Sequence, residues 1–325
     1  MLIALFRTSY LPQYVFLVVV GMALWMPAFL EPPGITVTGH SIQPLYNLIA
    51  GWLDGNGLLT VILGFVLLII QSLIFNVIMI SQGLVSKNSM IPAIVYMVLM
   101  STHFDNLTLT PLLLSGFFIL AFLGRVFTMY ERSENLMELF SSGLLISLAS
   151  MAYFPSFFFL LFILYVLIIY RIVTWREWTV PFVGFIIPYL YLWVYYFWIE
   201  SLTPVYAEYA EFFSGIFITR IYLDIGDIII EASLFLFILL PSLFRLISSM
   251  GSHNIVTRKK LSVSNWLFVI TVVITFSAGN LLQNNIYALG GAVIVAHNFD
   301  ITTRSRWNEL IFLFFTAGTA VNNYF

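Results

Sequence analysis

The stretch "ENLMELFSSGLLISLASMAYFPSFFFLLFILYVLIIYR", Glu134 to Arg171, decides the fold class. It contains two apolar runs, Leu139–Tyr153 and Phe157–Tyr170, on either side of Pro155. Proline interrupts a helix, so the pair reads as two helical segments joined by a tight turn. The same texture extends along the whole chain, which is 61% hydrophobic and 9% charged with a mean hydropathy of +1.00. A soluble domain carries about 25% charged residues. The chain therefore reads as an all-α, polytopic integral membrane protein.

A helix crosses about 30 Å of hydrocarbon with about 20 apolar residues. Eleven runs approach that length: Tyr14–Leu30, Gly57–Ile80, Ile91–His103, Leu109–Met129, Leu139–Tyr153, Phe157–Tyr170, Thr179–Ile199, Ile228–Leu246, Asn265–Ala278, Asn285–His297 and Trp307–Val321. The third, fifth, sixth, ninth and tenth are short, which makes half-helices an alternative for two of them. Arg7 precedes the first run, but no small-x-small cleavage site follows before Glu31, so this run reads as a retained anchor rather than a cleaved signal peptide. The net charge of -2 gives no reason to expect nucleic acid, and the absence of cysteine excludes disulfides, thiolate metal sites and cysteine nucleophiles.

The distribution of basic residues orients the chain. Alternate loops hold Arg7, Lys87, Arg125, Arg132, Arg171, Arg176, Arg245, Arg258, Lys259, Lys260, Arg304 and Arg306, while the other set holds only Arg220. Positive loops stay in the cytoplasm, so the N-terminus is expected inside and the C-terminus outside. Two parts follow: residues 1–199, with seven spans and an outer loop at 31–56, and residues 200–325, with a second outer loop and about four spans. In the first outer loop, Leu45, Leu48, Ile49, Trp52 and Leu53 fall at helical spacing, which predicts a short interfacial helix. The longest inner loop, "SSMGSHNIVTRKKLSVSN", reads as a basic anchor on anionic lipid head groups. The chain has no internal repeat and no P-loop, GxGxxG, HExxH or GxSxG motif.

Residues able to carry chemistry are therefore sought on the outer side. Glu31 lies at the outer end of the first run and Asp105 in "STHFDNLT" between the third and fourth, with His40, His103 and Asp54 on the same side. A carboxylate at the mouth of a membrane cavity, partly desolvated, can act as a general base; the ordinary alternative is a solvated loop acid. The histidines lack ligand spacing and point to no metal. Arg220, Asp224, Asp227 and Glu231 are separated by four, three and four residues, a single stripe if the helix is continuous. Arg220 is then either an anion site suited to phosphate or the partner that neutralises Asp224.

The layout up to about Ile199 resembles the GT-C class of multipass glycosyltransferases. The resemblance rests on Glu31 at the start of the outer loop, on "HSIQPLYNLIAGWLDGNG" as a proline-aromatic helical segment, on Asp105, on the 134–171 stretch as fifth and sixth spans, and on Arg220 after the seventh. It implies a GT-C-like N-terminal module acting at the outer face of a bacterial inner membrane on a sugar carried by polyprenyl phosphate, a substrate rather than a resident cofactor. Glu31 and Asp105 are then the catalytic acids, and Arg220, His40, His103, Asp54 and Asp224 contact substrate. The sequence departs from the class: Glu31 stands alone before Pro32 and Pro33, "MAYFPS" occupies the place of a familiar lysine, and no sizeable soluble domain follows the last span. The chain also resembles multipass membrane proteins of Bacteroidota. Three functions remain open at this stage: the transferase, a non-catalytic subunit of a cell-envelope or secretion assembly with protein partners, and a transporter, which the scarcity of mid-span charge disfavours.

Overall fold

The computed structural model describes residues 2–33, 42–53, 56–131, 135–215, 225–277, 285–301 and 306–324. Regular structure among them is entirely helical: α1 (Leu2–Leu5), α2 (Leu11–Leu30), α3 (Pro44–Leu53), α4 (Gly57–Ser81), α5 (Ile91–Met100), α6 (Pro111–Thr128), α7 (Leu136–Ala152), α8 (Phe159–Tyr170), α9 (Trp175–Trp198), α10 (Leu202–Gly215), α11 (Ile225–Ser233), α12 (Leu240–Ser249), α13 (Ile255–Ser277), α14 (Ile286–Ile301) and α15 (Arg306–Tyr324). A π-helical stretch, Leu234–Leu239, joins α11 to α12. Among the described residues, six segments are long and apolar enough to cross a membrane: Leu11–Leu30, Gly57–Ser81, Pro111–Thr128, Trp175–Trp198, Ile229–Ser252 and Ile255–Phe276. Ile91–Met100, Leu136–Ala152, Phe154–Tyr170 and Ile286–Ile301 are shorter apolar helices.

The axis of the bundle is the pair α5 and α14, which pack on each other. All ten residues of α5 are buried, as are Ile286 to Phe299 of α14. At 1.5 Å per residue α5 is only about 15 Å long, half the hydrocarbon thickness. Its chain therefore continues as irregular backbone inside the protein, which a membrane protein tolerates only where the polar groups are buried or face water.

Helix α9 lies at the other extreme, with only Pro181, Gly184 and Tyr196 buried and Trp193 and Trp198 among its exposed side chains. It is held to α7 by two reciprocal close approaches. A Cβ at Gly143 would lie 2.0 Å from the Pro181 carbonyl oxygen, and one at Gly184 would lie 2.3 Å from that of Phe140. In lipid, where apolar burial gives no drive for association, such small-residue contacts let backbones pack directly. The expected turn at Pro155 is the 3-10 segment Phe154–Phe158, and α10 docks on it through Phe154 against Tyr209 and Phe212, with ring centroids 4.9 and 4.8 Å apart.

Polar contacts between distant segments sort the helix ends into two groups. At the basic end, Lys260 donates to the side chain and carbonyl of Gln82, Lys259 to the Ile169 carbonyl, and Asn298 to Ser242. There too the Asp300 carboxylate accepts from the Ser86 amide at 2.6 Å and hydroxyl at 2.8 Å, and Arg125 donates to Glu138 at 3.0 Å. The opposite end joins Trp25, Ser101, His103, Leu109, Glu231, Asn285, Tyr287 and Asn323, as described below.

The expected inner loop around Arg258–Lys260 is the main departure from the sequence reading. Helix α13 begins at Ile255, so the basic cluster lies in its first turns, and Lys260 is only 2% exposed. The reason is local: α4 ends at Ser81 with Gly83 in the left-handed region, leaving carbonyls without helical partners, and the Lys260 ammonium fills that need.

Candidate functional site: a polar centre at one end of the bundle

The site is built on the segment that follows α5. Met100 ends the helix, and its carbonyl accepts from Asn285 Nδ2 at 3.4 Å. Ser101 then accepts from Trp25 Nε1 on its hydroxyl at 2.9 Å and from Asn323 Nδ2 on its carbonyl at 3.0 Å. Side chains of α2 and α15, together with Asn285 beside α14, thus satisfy backbone and hydroxyl groups that would otherwise be orphaned at depth. The segment then turns through the 3-10 element Phe104–Asn106. It re-enters a helix at Thr110, whose hydroxyl accepts from the Leu113 amide at 3.1 Å ahead of Pro111, an N-cap followed by proline at the first position.

His103 points inward from this segment and is 3% exposed; its Nε2 lies 2.7 Å from Oε1 of Glu231, which is 5% exposed. The Tyr287 hydroxyl donates to the same carboxylate oxygen. Three elements that are remote in sequence therefore converge on one carboxylate. Chemically, the group can hold an acid–base pair out of water with the imidazole oriented by the carboxylate, the arrangement on which positioned proton transfer depends.

The residues expected from sequence fall into three sets. His103 is at the centre of the cluster. Glu31 and Asp105 are at the same end but are exposed, so neither has the partial desolvation on which the general-base argument relied. His40, Asp54, Arg220 and Asp224 lie outside the described residues, as does the Asp227 side chain. The stripe therefore enters the described structure only at Glu231, whose partners there are His103 and Tyr287. Tyr287 had no sequence signal, being an aromatic in an apolar run. Glu231 had one: an acid inside the apolar run Ile228–Leu246 is tolerated where it faces a bundle interior or a watery cavity, and Glu231 is buried in the bundle.

At the same end lies α3, packed against α7 and α4. Tyr46, Ala50 and Leu53 are buried on one face, and the Tyr46 hydroxyl donates to the Leu109 carbonyl at 3.2 Å. Leu48 (64% exposed) and Trp52 (87% exposed) point away from the bundle. A helix that is apolar on both faces fits the rim of a bilayer, with one face on protein and the other in the interface. Burial pushes the Tyr46 phenol above its ordinary value of 10.0 and, with lesser contributions from Tyr189, Tyr196 and Glu208, pushes up that of Tyr209 on α10. Between Trp25, Met100, Asn106, Thr110 and Asn285 is a small cavity, with room for about one water molecule.

Comparison of the chain with family models, with curated proteins and with solved structures finds no match. The case for function therefore rests on the residues and their geometry. Among the described residues no group of three or more histidines or acids is placed to hold a metal ion.

Proposed function

We propose that this chain is an eleven-pass protein of a bacterial inner membrane, with its basic end in the cytoplasm. In this reading it acts at the outer face on a sugar linked to polyprenyl phosphate, in the manner of a GT-C transferase. The same-end pairing of helix termini supports the eleven-pass part, because every pair of helix ends that it joins falls on one side when the chain crosses at each apolar helix. The observation that carries the functional part is α3. It is docked by Tyr46 onto Leu109, in the same outer segment as Asp105, exposes Leu48 and Trp52 laterally, and lies at the end where Glu31 emerges. An outer, lipid-facing helix tied to an acid-bearing loop is the layout by which such a transferase meets a lipid-borne substrate. Glu31 would serve as base once a bound lipid-linked sugar covers and desolvates it, Asp105 would orient the acceptor, and Arg220 would hold the phosphate, with His40, Asp54 and Asp224 nearby.

The test is sugar transfer or release from a labelled polyprenyl-phosphate donor in proteoliposomes, with wild type, Glu31→Gln and Asp105→Asn. Both acids are exposed, so the variants should fold, and loss of a general base should slow turnover about 10²–10⁴-fold. Equal turnover in all three, or none in wild type, would overturn the assignment. A second reading, a non-catalytic subunit of an envelope assembly, is favoured by the exposure of Glu31 and Asp105, which leaves neither acid partly desolvated. It expects no turnover and co-purification with specific envelope proteins.

A further inference from the structure

We propose that Arg171, Arg258 and Lys259 form a site for the phosphate head group of an anionic phospholipid at the basic end of the bundle, where the lipid ties the end of α8 to the start of α13. The inference stands on contacts at that end and depends neither on the transferase reading nor on which side of the membrane the basic end faces.

The first step is how the three cations come together. Helices α8 and α13 pack on each other, with the Tyr165 and Trp266 ring centroids 4.0 Å apart. This brings the last turn of α8 beside the first turns of α13, where Lys259 donates to the Ile169 carbonyl. That bond accounts for Lys259, since a cation at a helix C-terminus satisfies an orphan carbonyl and suits the helix dipole. It does not account for its neighbours. Arg171 and Arg258 are both exposed, and both press their positive charge on the Lys259 ammonium. Arg258 also stands in the opening turn of α13, its amide bonded to the Asn254 carbonyl at 2.9 Å. That is the positive end of the helix dipole, which favours an anion over a cation.

The second step is strain. Arg171 follows α8 with φ 59° and ψ 39°, in the left-handed region, a position that helix ends ordinarily give to glycine or asparagine. A long side chain held there costs stability, and no acid among the described residues pairs with the guanidinium to offset it. The described acids Glu138, Asp300 and Glu177 engage Arg125, Ser86 and Thr174 instead. Arg132, Glu134, Arg304 and the Glu131 side chain lie outside the described residues. What arginine supplies at this position, and glycine cannot, is a planar fork of donors matched to phosphate oxygens.

The third step is the surroundings, which select the source of the phosphate. Val173 and Trp175, next along the chain from Arg171, are exposed, as is Ile255 one turn before Arg258 and Lys259. The Arg176 guanidinium lies 5.9 Å from the centre of the Trp175 ring. Free phosphate gains nothing from exposed apolar side chains beside its site. A phospholipid sets its head group on the cations and lays its glycerol and acyl chains along such a rim, where tryptophan and arginine are at home. Binding is non-covalent, and the lipid phosphate joins cations that otherwise repel one another.

The test is thermal unfolding of the full-length chain in neutral-detergent micelles, read from its eight tryptophans, with added phosphatidylglycerol, phosphatidylcholine or inorganic phosphate. Wild type should melt at a higher temperature as phosphatidylglycerol is added and respond to neither of the others. Arg171→Gly removes the cation and the strained side chain together, so without lipid it should melt at or above the wild-type temperature, yet need about tenfold more phosphatidylglycerol for the same rise. Arg258→Gln should also need about tenfold more. Arg245→Gln, which removes an exposed arginine of α12 at the same end, should respond as wild type does. An equal rise with phosphatidylcholine would overturn the proposal. So would Arg245→Gln weakening the response as much as the other two variants, because general surface charge would then explain it. A rise with inorganic phosphate that matches the lipid would overturn the phospholipid as the ligand. If Arg171→Gly fails to fold, Arg258→Gln decides against the same control.

Discussion

Gly143 and Gly184 should hold α9 to the bundle, and alanine at either should loosen it. At Gly143 the added Cβ would stand 2.0 Å from the Pro181 oxygen, and at Gly184 2.3 Å from the Phe140 oxygen. Close carbon–oxygen contacts between packed backbones settle at about 3.3–3.6 Å, so each substitution forces the two helices apart by about 1 Å. Both obstacles are backbone atoms and cannot rotate away. Overpacking of this kind costs about 1–3 kcal/mol, and α9 buries little else that could compensate, apart from the bond between Ser150 and Tyr189 at 2.8 Å. One separation relieves both clashes, so the double variant should cost little more than the worse single one, a clear failure of additivity. Gly318, in α15 with nothing within 4 Å of an added Cβ, is the control; alanine there should be neutral or stabilising by up to about 1 kcal/mol. Intrinsic fluorescence from the eight tryptophans reports thermal unfolding in micelles without a label. Gly143→Ala and Gly184→Ala both within about 0.5 kcal/mol of wild type, or a double variant equal to the sum, would refute the reciprocal contact.

Lys260→Met keeps the aliphatic stem but leaves the Gln82 carbonyl and amide oxygens without the ammonium; it should lower stability by about 1–3 kcal/mol, and a rise in melting temperature would mean that desolvation of the ammonium outweighs its bonds. Tyr46→Phe removes the bond to Leu109 and should free α3 at a cost of about 0.5–1.5 kcal/mol, read as faster proteolysis or amide exchange in residues 44–53. Because burial raises the Tyr46 value above 10.0, its contribution is complete below the unfolded value and is lost as pH rises through the folded one; wild type should therefore release α3 in strongly alkaline solution, while Tyr46→Phe shows no such step. Single cysteines at exposed Thr203 and Ser252, in a chain with none of its own, should label oppositely with an impermeant thiol reagent in intact spheroplasts, position 203 reacting and 252 not. The reverse pattern would invert the orientation.

The helical elements and their order were legible because local composition alone decides them: an apolar run in lipid must satisfy its backbone internally, and a helix does so without reference to the rest of the chain. Every apolar run expected from sequence overlaps a helix among the described residues, and the short helix expected over Leu45–Leu53 and the turn at Pro155 fall where spacing and proline placed them, as Pro44–Leu53 and Phe154–Phe158. Lys260 read as a solvated anchor because a basic cluster beside polar residues normally is one; only the end of α4, brought alongside by folding, gives its ammonium a buried partner. The same holds for the site. Glu231 read as one member of an acidic stripe awaiting Arg220, and Tyr287 as part of an apolar run, since neither carries any mark of the other in its own neighbourhood. Their meeting with His103 joins positions 128 and 56 residues apart, and which side chain neutralises a buried carboxylate depends on helix packing. The sequence by itself determined that this is a helical membrane protein and which of its ends is basic, because hydrophobicity and charge act residue by residue. The tertiary structure decided which charges are buried and with whom, because the low dielectric that makes such a pairing matter exists only once the helices have closed around it.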